Sequence, residues 1–232
     1  MTSSAENQIP AVNLHPPRTK FRKGVKPPSR NMLKRGKQNK KLGDKITVKT
    51  WKGMTMYSLT LEERATCPSD CEQWDNCYGN NMPFAHRFDH TNPDFKELLE
   101  EQIAELNRKH PEGFVVRLHV LGDFYDALYI VQWQIWLHQY ENLHVFGYTH
   151  HRADSQLGTF IGNINRIYPD RYRIRFSDDW DQEFSAHTSK TEDTVRLLGN
   201  GIVCPEQTGQ TNSCTSCGYC WASDHPVVFL EH

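Results

Sequence analysis

Residues 114–123 read FVVRLHVLGD and residues 171–177 read RYRIRFS, and these two stretches decide the fold. Both alternate as strands do, successive side chains pointing to opposite faces. In the first, Val116, Leu118 and Val120 share one face and Arg117, His119 and Leu121 the other; in the second, Tyr172, Ile174 and Phe176 stand opposite Arg173 and Arg175. A central parallel strand covered by helices on both faces is apolar throughout. Here, one face should pack on helices while the other points into something polar, and a barrel lumen satisfies that. The expectation is an α/β fold, a partial or irregular (β/α) TIM-like barrel with metal-binding loops at its C-terminal rim.

The flanking sequence supports alternation of strand and helix. KITVKTW (45–51) reads as a strand. TNPDFKELLEEQIAELNRKHPEG (91–113) reads as a helix with Asn92 as N-cap, Pro93 in the first turn, and Leu99, Ile103 and Leu106 on one face; Pro111 and Gly113 end it. ALYIVQWQIWLHQY (127–140) is a second helix, LHVFGYTH (143–150) a strand and DSQLGTFIGNINRIY (154–168) a third helix. TEDTVRLLGNG (191–201) reads as a short helix and IVCP (202–205) as a last short strand. Strands joined by helices of this length form right-handed βαβ units in a parallel sheet. Sites in such folds sit in the loops at the carboxyl ends of strands. Those loops here carry the first cysteines, GDFYD (122–126), YTHHR (148–152), SDDWD (177–181) and CPEQTG (204–209).

All seven cysteines fall into two groups. Cys67-x3-Cys71-x5-Cys77 lies early, and Cys204-x9-Cys214-x2-Cys217-x2-Cys220 lies near the other end. An odd count argues against a closed disulfide framework. A tetrahedral zinc usually takes one or two separate C-x2-C knuckles. Three cysteines at x2, x2 spacing instead suit a 4Fe-4S cluster, each thiolate reaching a different iron. Cys204 completes that set. Three cysteines on a loop can hold three irons and leave the fourth open, or they can join the C-terminal group around a shared centre; one cluster or two stays open, and zinc remains the alternative metal.

Charge is unevenly spread. The chain has 232 residues and a formal net charge of −1, yet residues 1–45 hold twelve Lys/Arg against Glu6 and Asp44. Residues 1–45 therefore read as a basic, Pro-rich N-terminal arm and residues 46–232 as the barrel domain. The arm suits nucleic acid or phosphate, or a solvated segment folding back on the acidic body. No signal-peptide core and no run of about 18 apolar residues is present, so a cytoplasmic location without membrane contact is expected, with thiols reduced unless a metal takes them. Met54, Met56 and Trp51 read as packing, and DDWDQE (178–183) as a solvated acidic loop. No phosphate-cradling loop, GxSxG elbow or H-E-x-x-H helix occurs.

Among the candidate site residues, Gly122 and Asp123 end a strand, and Asp123 suits a substrate or cofactor amine or the cap of the helix beginning near Ala127. Arg117, His119, Arg173 and Arg175 would face the lumen. There they would hold a small anionic ligand, offset a negatively charged cluster, or pair with Asp123, Asp178 and Asp179. Tyr148, Thr149, His150 and His151 sit on the rim.

Two resemblances follow from these motifs. A cysteine triplet after the first strand and a Gly-acid turn after the second resemble the radical S-adenosylmethionine enzymes, in which a C-x3-C-x2-C loop holds an open 4Fe-4S cluster and a Gly-Gly-Glu turn seats the cofactor's amino group. The matching pieces are Cys67, Cys71, Cys77 and Leu121-Gly122-Asp123; the second gap is five residues here and Gly-Gly-Glu is absent. SRNMLKRGKQN, TLEERATCPSDC, CYGNNMPFAHR, VRLHVLGDFY, LHVFGYT, RFS and CPEQTG…CTSCGYCW resemble, in order, the phage and prophage family called gene product eighty-eight. That resemblance implies a cysteine-ligated cluster protein of the host cytoplasm, and brings residues 29–41 toward the site. Three functions stay in view: an iron–sulfur protein doing redox, radical-type or electron-transfer chemistry with a redox partner; a nucleic-acid-binding module with structural zinc and a basic arm; and a virion or assembly component stapled by its cluster.

Overall fold

The computed structural model describes residues 18–231 apart from 49, 72, 180, 181, 183 and 191–200. Among these residues the chain builds one mostly parallel sheet of eight strands and a separate two-stranded ladder. The ladder pairs β1 (Val25–Lys26) with β4 (Arg87–Phe88). The large sheet runs in the order β2 (Lys34–Arg35), β3 (Thr55–Ser58), β5 (Phe114–Leu118), β6 (Leu143–Thr149), β7 (Tyr172–Ser177), β8 (Ser185–Ser189), β10 (Val227–Leu230) and β9 (Ile202–Val203). Only the β2–β3 pair is antiparallel. Among the described residues β2 and β9 are open edges that do not pair with each other, so no closed barrel forms.

Three helices pack on one face. α2 (Phe95–Lys109) buries Phe95, Leu99, Ile103 and Leu106, the stripe its 3.6-residue period prescribes. Asn92 does not cap it; its Oδ1 accepts from the Asp94 N–H at 3.0 Å, turning the chain before Asp94 takes the N-cap position. α3 (Ala127–Gln139) starts on Asp126, whose carboxylate accepts from the Tyr129 N–H, and α4 (Gln156–Ile167) on Ser155, whose Oγ accepts from the Gly158 N–H. Tyr129, Trp133 and Trp136 of α3 and Ile161 and Ile164 of α4 close over Phe114, Val116, Leu118, Val145, Tyr172, Ile174 and Phe176.

The second face is what the alternating arginines foretold, but its covering is not a lumen. Val115 and Phe146 meet Leu42, Ile46, Trp51 and Trp221, while Ala186 and Val227 meet Cys204, with Tyr148, Tyr219 and Cys220 alongside. Chain from both ends of the sequence roofs it. The expected strand at 45–51 is instead one arm of a turn: the Ile46 N–H donates to Met54 O, the Gly53 N–H returns to Ile46 O, and the strand proper begins at Thr55. Met56 and Trp51 are buried there, in keeping with a packing role.

Residues 18–45 do not stand apart. Met32 and Leu33 lie in the helical-face core, β2 is an edge of the sheet, Thr19 donates through its N–H to Glu62 and through its hydroxyl to Glu63, and Arg35 grips Asp44. Residues 1–17 and the expected 191–201 helix up to residue 200 lie outside the described residues. No described helix is long and apolar enough to cross a membrane.

Candidate metal centre

The first cysteine loop begins where β3 ends. After α1 (Glu63–Thr66) the chain runs through Cys67, Cys71 and Cys77, and two arginines, one buried and one half-buried, brace the far side. Arg87, fully buried, donates to both carboxylate oxygens of Glu63 (2.6 and 3.0 Å) and to the carbonyls of Gly79, Met82 and Ala85. Arg64 donates to Trp74 O and Asn80 Oδ1, both at 2.8 Å. The loop is therefore fixed from beneath by charge-assisted bonds.

The three thiols of this loop sit close enough to act on one another. Burial pushes the Cys67 thiol well up, with further push from Asp123, Cys71 and Cys77. Burial likewise drives Cys71 to about 12, and raises Cys77. Sulfur in such surroundings stays protonated unless a cation takes the proton's place.

The second group uses two one-turn helices, α5 (Cys214–Cys217) and α6 (Tyr219–Ala222), with Gly218 between them at φ 71°. A side chain there would meet Val48 at 2.5 Å, so only glycine lets the two turns abut and bring Cys214, Cys217 and Cys220 together. Cys204 follows β9 and is buried, its N–H bonded to Val228 O. Burial raises Cys214 to about 12 and also raises Cys220, which feels Cys204 and Cys217.

The two groups meet across Arg117. Tyr78, the residue after Cys77, places its hydroxyl within reach of the Arg117 guanidinium. The Arg117 guanidinium lies 5.4 Å from the Tyr148 ring centroid and within electrostatic reach of Cys214, and the Tyr148 hydroxyl lies within reach of the Cys220 thiol. Thus Cys77–Tyr78–Arg117–Tyr148–Cys220 forms a continuous path from one cysteine group to the other, at the carboxyl ends of β5 and β6. Tyr78 belongs to this site, although the sequence reading passed over it; its only signal was adjacency to Cys77.

The other expected site residues fall differently. Arg175, fully buried, spends its guanidinium on the carbonyls of Cys220, Ser185, His225, Tyr219 and Ser223. It holds the C-terminal cysteine turn and keeps no donor for a ligand. Arg173 bonds Trp221 O, Ser223 O and the Asp224 carboxylate rather than Asp178 or Asp179. Arg117 alone of the three donates to no carbonyl or carboxylate among the described residues; Tyr78, Tyr148 and Cys214 are its neighbours.

His119 turns the other way. β5 ends at Leu118, the alternation stops, and His119 Nε2 lies 3.0 Å from the Tyr129 hydroxyl on the helical side, while Val120 joins the opposite cluster. Burial and the nearby Arg117 depress His119 to about 3, leaving a neutral core histidine.

Gly122 (φ 86°) lets the loop press on Thr66 and Leu61, 2.6 and 2.7 Å from where a Cβ would stand. Asp123, 2% exposed, ties three loops: its N–H donates to Thr66 Oγ1, and its oxygens accept from the Phe124 and His150 amides. The helix cap is Asp126 instead. Both Gly122 and Asp123 thus serve to draw the β5 loop against the first cysteine loop. His151 Nε2 donates to Phe124 O, and His150 Nε2 stands 3.8 Å from Asp178 Oδ2, with His187 on the other side of that carboxylate. Asp179 holds the Ala153 amide, so this part of the acidic loop is structural.

Among the described residues no three His, Cys, Asp or Glu side chains converge as a cradle for a single metal ion. No curated protein and no solved structure matches the chain. Residues 30–193 match the family described as Gene product 88. The match spans more than half of the sequence, and the chain belongs to that family.

Proposed function

We propose that this member of the Gene product 88 family holds one or two iron–sulfur clusters on its two cysteine groups and serves in electron transfer or redox chemistry at that end of the sheet. The observation that carries the reading is the convergence of thiols from opposite ends of the chain on Arg117, through Tyr78 and Tyr148. Thiolates around one zinc ion, each about 2.3 Å from it, stand about 4 Å apart; thiolates on a cluster end on different irons and stand wider. Cysteines that act on each other electrostatically without closing on a single-ion cradle suit the cluster better.

The surroundings fit it as well. Cys67, Cys71 and Cys77 would hold one cluster or one part, and Cys204, Cys214, Cys217 and Cys220 the other. Such a group supplies one-electron chemistry when bound. The chain's own residues would hold the charge: Arg117 and Arg175 lie beside Cys214 and Cys220, where they offset thiolate charge, and the Tyr148 hydroxyl is placed to donate to Cys220 sulfur. Arg117, which lies against Tyr78 and binds no carbonyl or carboxylate among the described residues, stands between the groups and would take a small anionic ligand. The Gly122–Asp123 turn braces the site, and use of S-adenosylmethionine has no further support in the geometry.

Anaerobic purification followed by iron, sulfide and zinc analysis tests the reading. The expected product is brown, absorbs broadly near about 400 nm and contains iron with acid-labile sulfide. Cys71→Ala and Cys217→Ala, each read by iron content, distinguish one shared centre (either variant empties it) from two (each removes its own share). A colourless protein with stoichiometric zinc overturns the proposal.

A further inference from the structure

The pairing of β1 with β4 lays residues 20–26 along the loop that follows the first cysteine group. Two features meet there that the cysteine centre does not use. Phe84 stands at the tip of that loop with 93% of its surface exposed. The loop is not slack, because buried Arg87 binds the carbonyls of Gly79, Met82 and Ala85 from below. The loop therefore presents an apolar aromatic ring to solvent in a fixed position, free to stack on a partner.

The second feature is charge. Lys20, Arg22, Lys23 and Lys26 are all exposed, and none of them pairs with a carboxylate among the described residues. They border the Phe84 loop itself: a Cβ on Gly24 would stand 3.0 Å from Ala85 O and 3.9 Å from Pro83 O.

We propose that this face binds single-stranded nucleic acid, one base stacking on Phe84 while Arg22, Lys23 and Lys26 neutralise phosphates. Flat faces alternating with regularly spaced anions are what such a strand presents, and stacking on an aromatic ring tolerates any base. An acidic protein satisfies the cations but must also offer a pocket to a ring on a projecting tip. A duplex satisfies the cations and hides its bases. The acid-rich remainder of the chain, 26 Asp and Glu against 15 Lys and Arg beyond residue 45, repels a polyanion and confines it to this face.

Fluorescence anisotropy of labelled 12-nucleotide single strands, DNA and RNA in parallel, against the full chain over a range of salt tests this. Phe84→Ala is expected to weaken binding about tenfold. Replacing Arg22, Lys23 and Lys26 together by Gln is expected to flatten the slope of log affinity against log salt by about two. A blunt duplex of the same sequence binds more weakly than the strand, and the DNA and RNA arms show which sugar is preferred. All four substitutions change exposed side chains, so circular dichroism and melting temperature stay those of the parent chain. Unchanged affinity in Phe84→Ala overturns the proposal. So does displacement of the strand by poly-glutamate as readily as by unlabelled strand, which marks the face as a site for acidic protein. Neither readout depends on what metal the cysteines hold.

Discussion

The two faces of the sheet are held in different ways. The helical face is a jigsaw of Tyr129, Trp133, Trp136, Phe114, Tyr172 and Ile174, and dispersion and water exclusion hold it. The other face has smaller apolar clusters around Trp51 and Trp221 and also carries Arg117, Arg173 and Arg175, so satisfaction of polar groups adds to packing there. Arg175 alone donates to four backbone carbonyls of the C-terminal segment that roofs it and to one of the neighbouring strand β8. One face fixes the fold; the other fixes the chain that carries the cysteines. A guanidinium surrounded by carbonyls locks a turn as firmly as a packed ring does, and it leaves positive charge where thiolates gather.

The comparison breaks most visibly at Trp133. Trp133→Ala opens a large cavity beneath α3, and a loss of about 4 kcal/mol is expected. Because β5, β6 and β7 contribute to both faces, the whole sheet should fail together, read as one cooperative denaturant transition at a lower midpoint. Two separated transitions would show that the faces are independent.

Arg175→Met sharpens it. The methionine fills part of the volume but leaves five carbonyls without their donor, at an expected cost of about 3 kcal/mol. The damage should be local: hydrogen exchange speeds up at the Ala222, Ser223 and His225 amides while the amides of β5 and β6 keep their protection. Loosening on the helical side instead would show that Arg175 supports the sheet rather than the cysteine turn.

The helical face was the legible one. α3 and α4 and strands β6 and β7 follow from apolar period, a local signal, although the cap of α3 is Asp126 rather than the expected Asp123. β8, reading SAHTS, gave none: Ser185 and His187 are buried in polar contact with each other, and the parallel register places Ser185 beside Phe176 at the end of β7. So offset, β8 needs only a short loop before it and no crossover helix, which the usual connection between parallel strands would have advertised. The barrel expectation failed for a related reason. Alternating arginines announce a polar second face, but not whether a lumen or a roof of carbonyls meets it. At the site, the x2, x2 cysteine spacing was legible and the convergence of the two groups was not. Tyr78, Arg117 and Tyr148 are far apart in sequence, and nothing local ties them.

Acid offers the gentlest separation of the faces. His119 and Tyr129 are bonded within the helical face, and His119 is held neutral with its pKa near about 3, against 6.5 for an exposed imidazole. Below pH 6.5 the unfolded chain takes up a proton that the folded chain refuses, so stability falls as pH drops from 6.5 toward 3 and is fully present above 6.5. At about 1.4 kcal/mol per pH unit, His119 contributes a loss of about 2 kcal/mol between pH 7 and pH 5. His119→Gln keeps a polar group near Tyr129 without the titration. Its denaturant midpoint should start lower at pH 7 and then decline less steeply than that of the parent chain. His144, depressed to about 4 by burial on the opposite side of β6, titrates in the same direction and remains in both proteins, so the variant retains part of the slope. The difference between the two slopes is therefore the share of acid sensitivity that belongs to the helical face. If the slopes are equal, His119 is already accessible to protons, and the helical face at the end of β5 is looser than its packing implies.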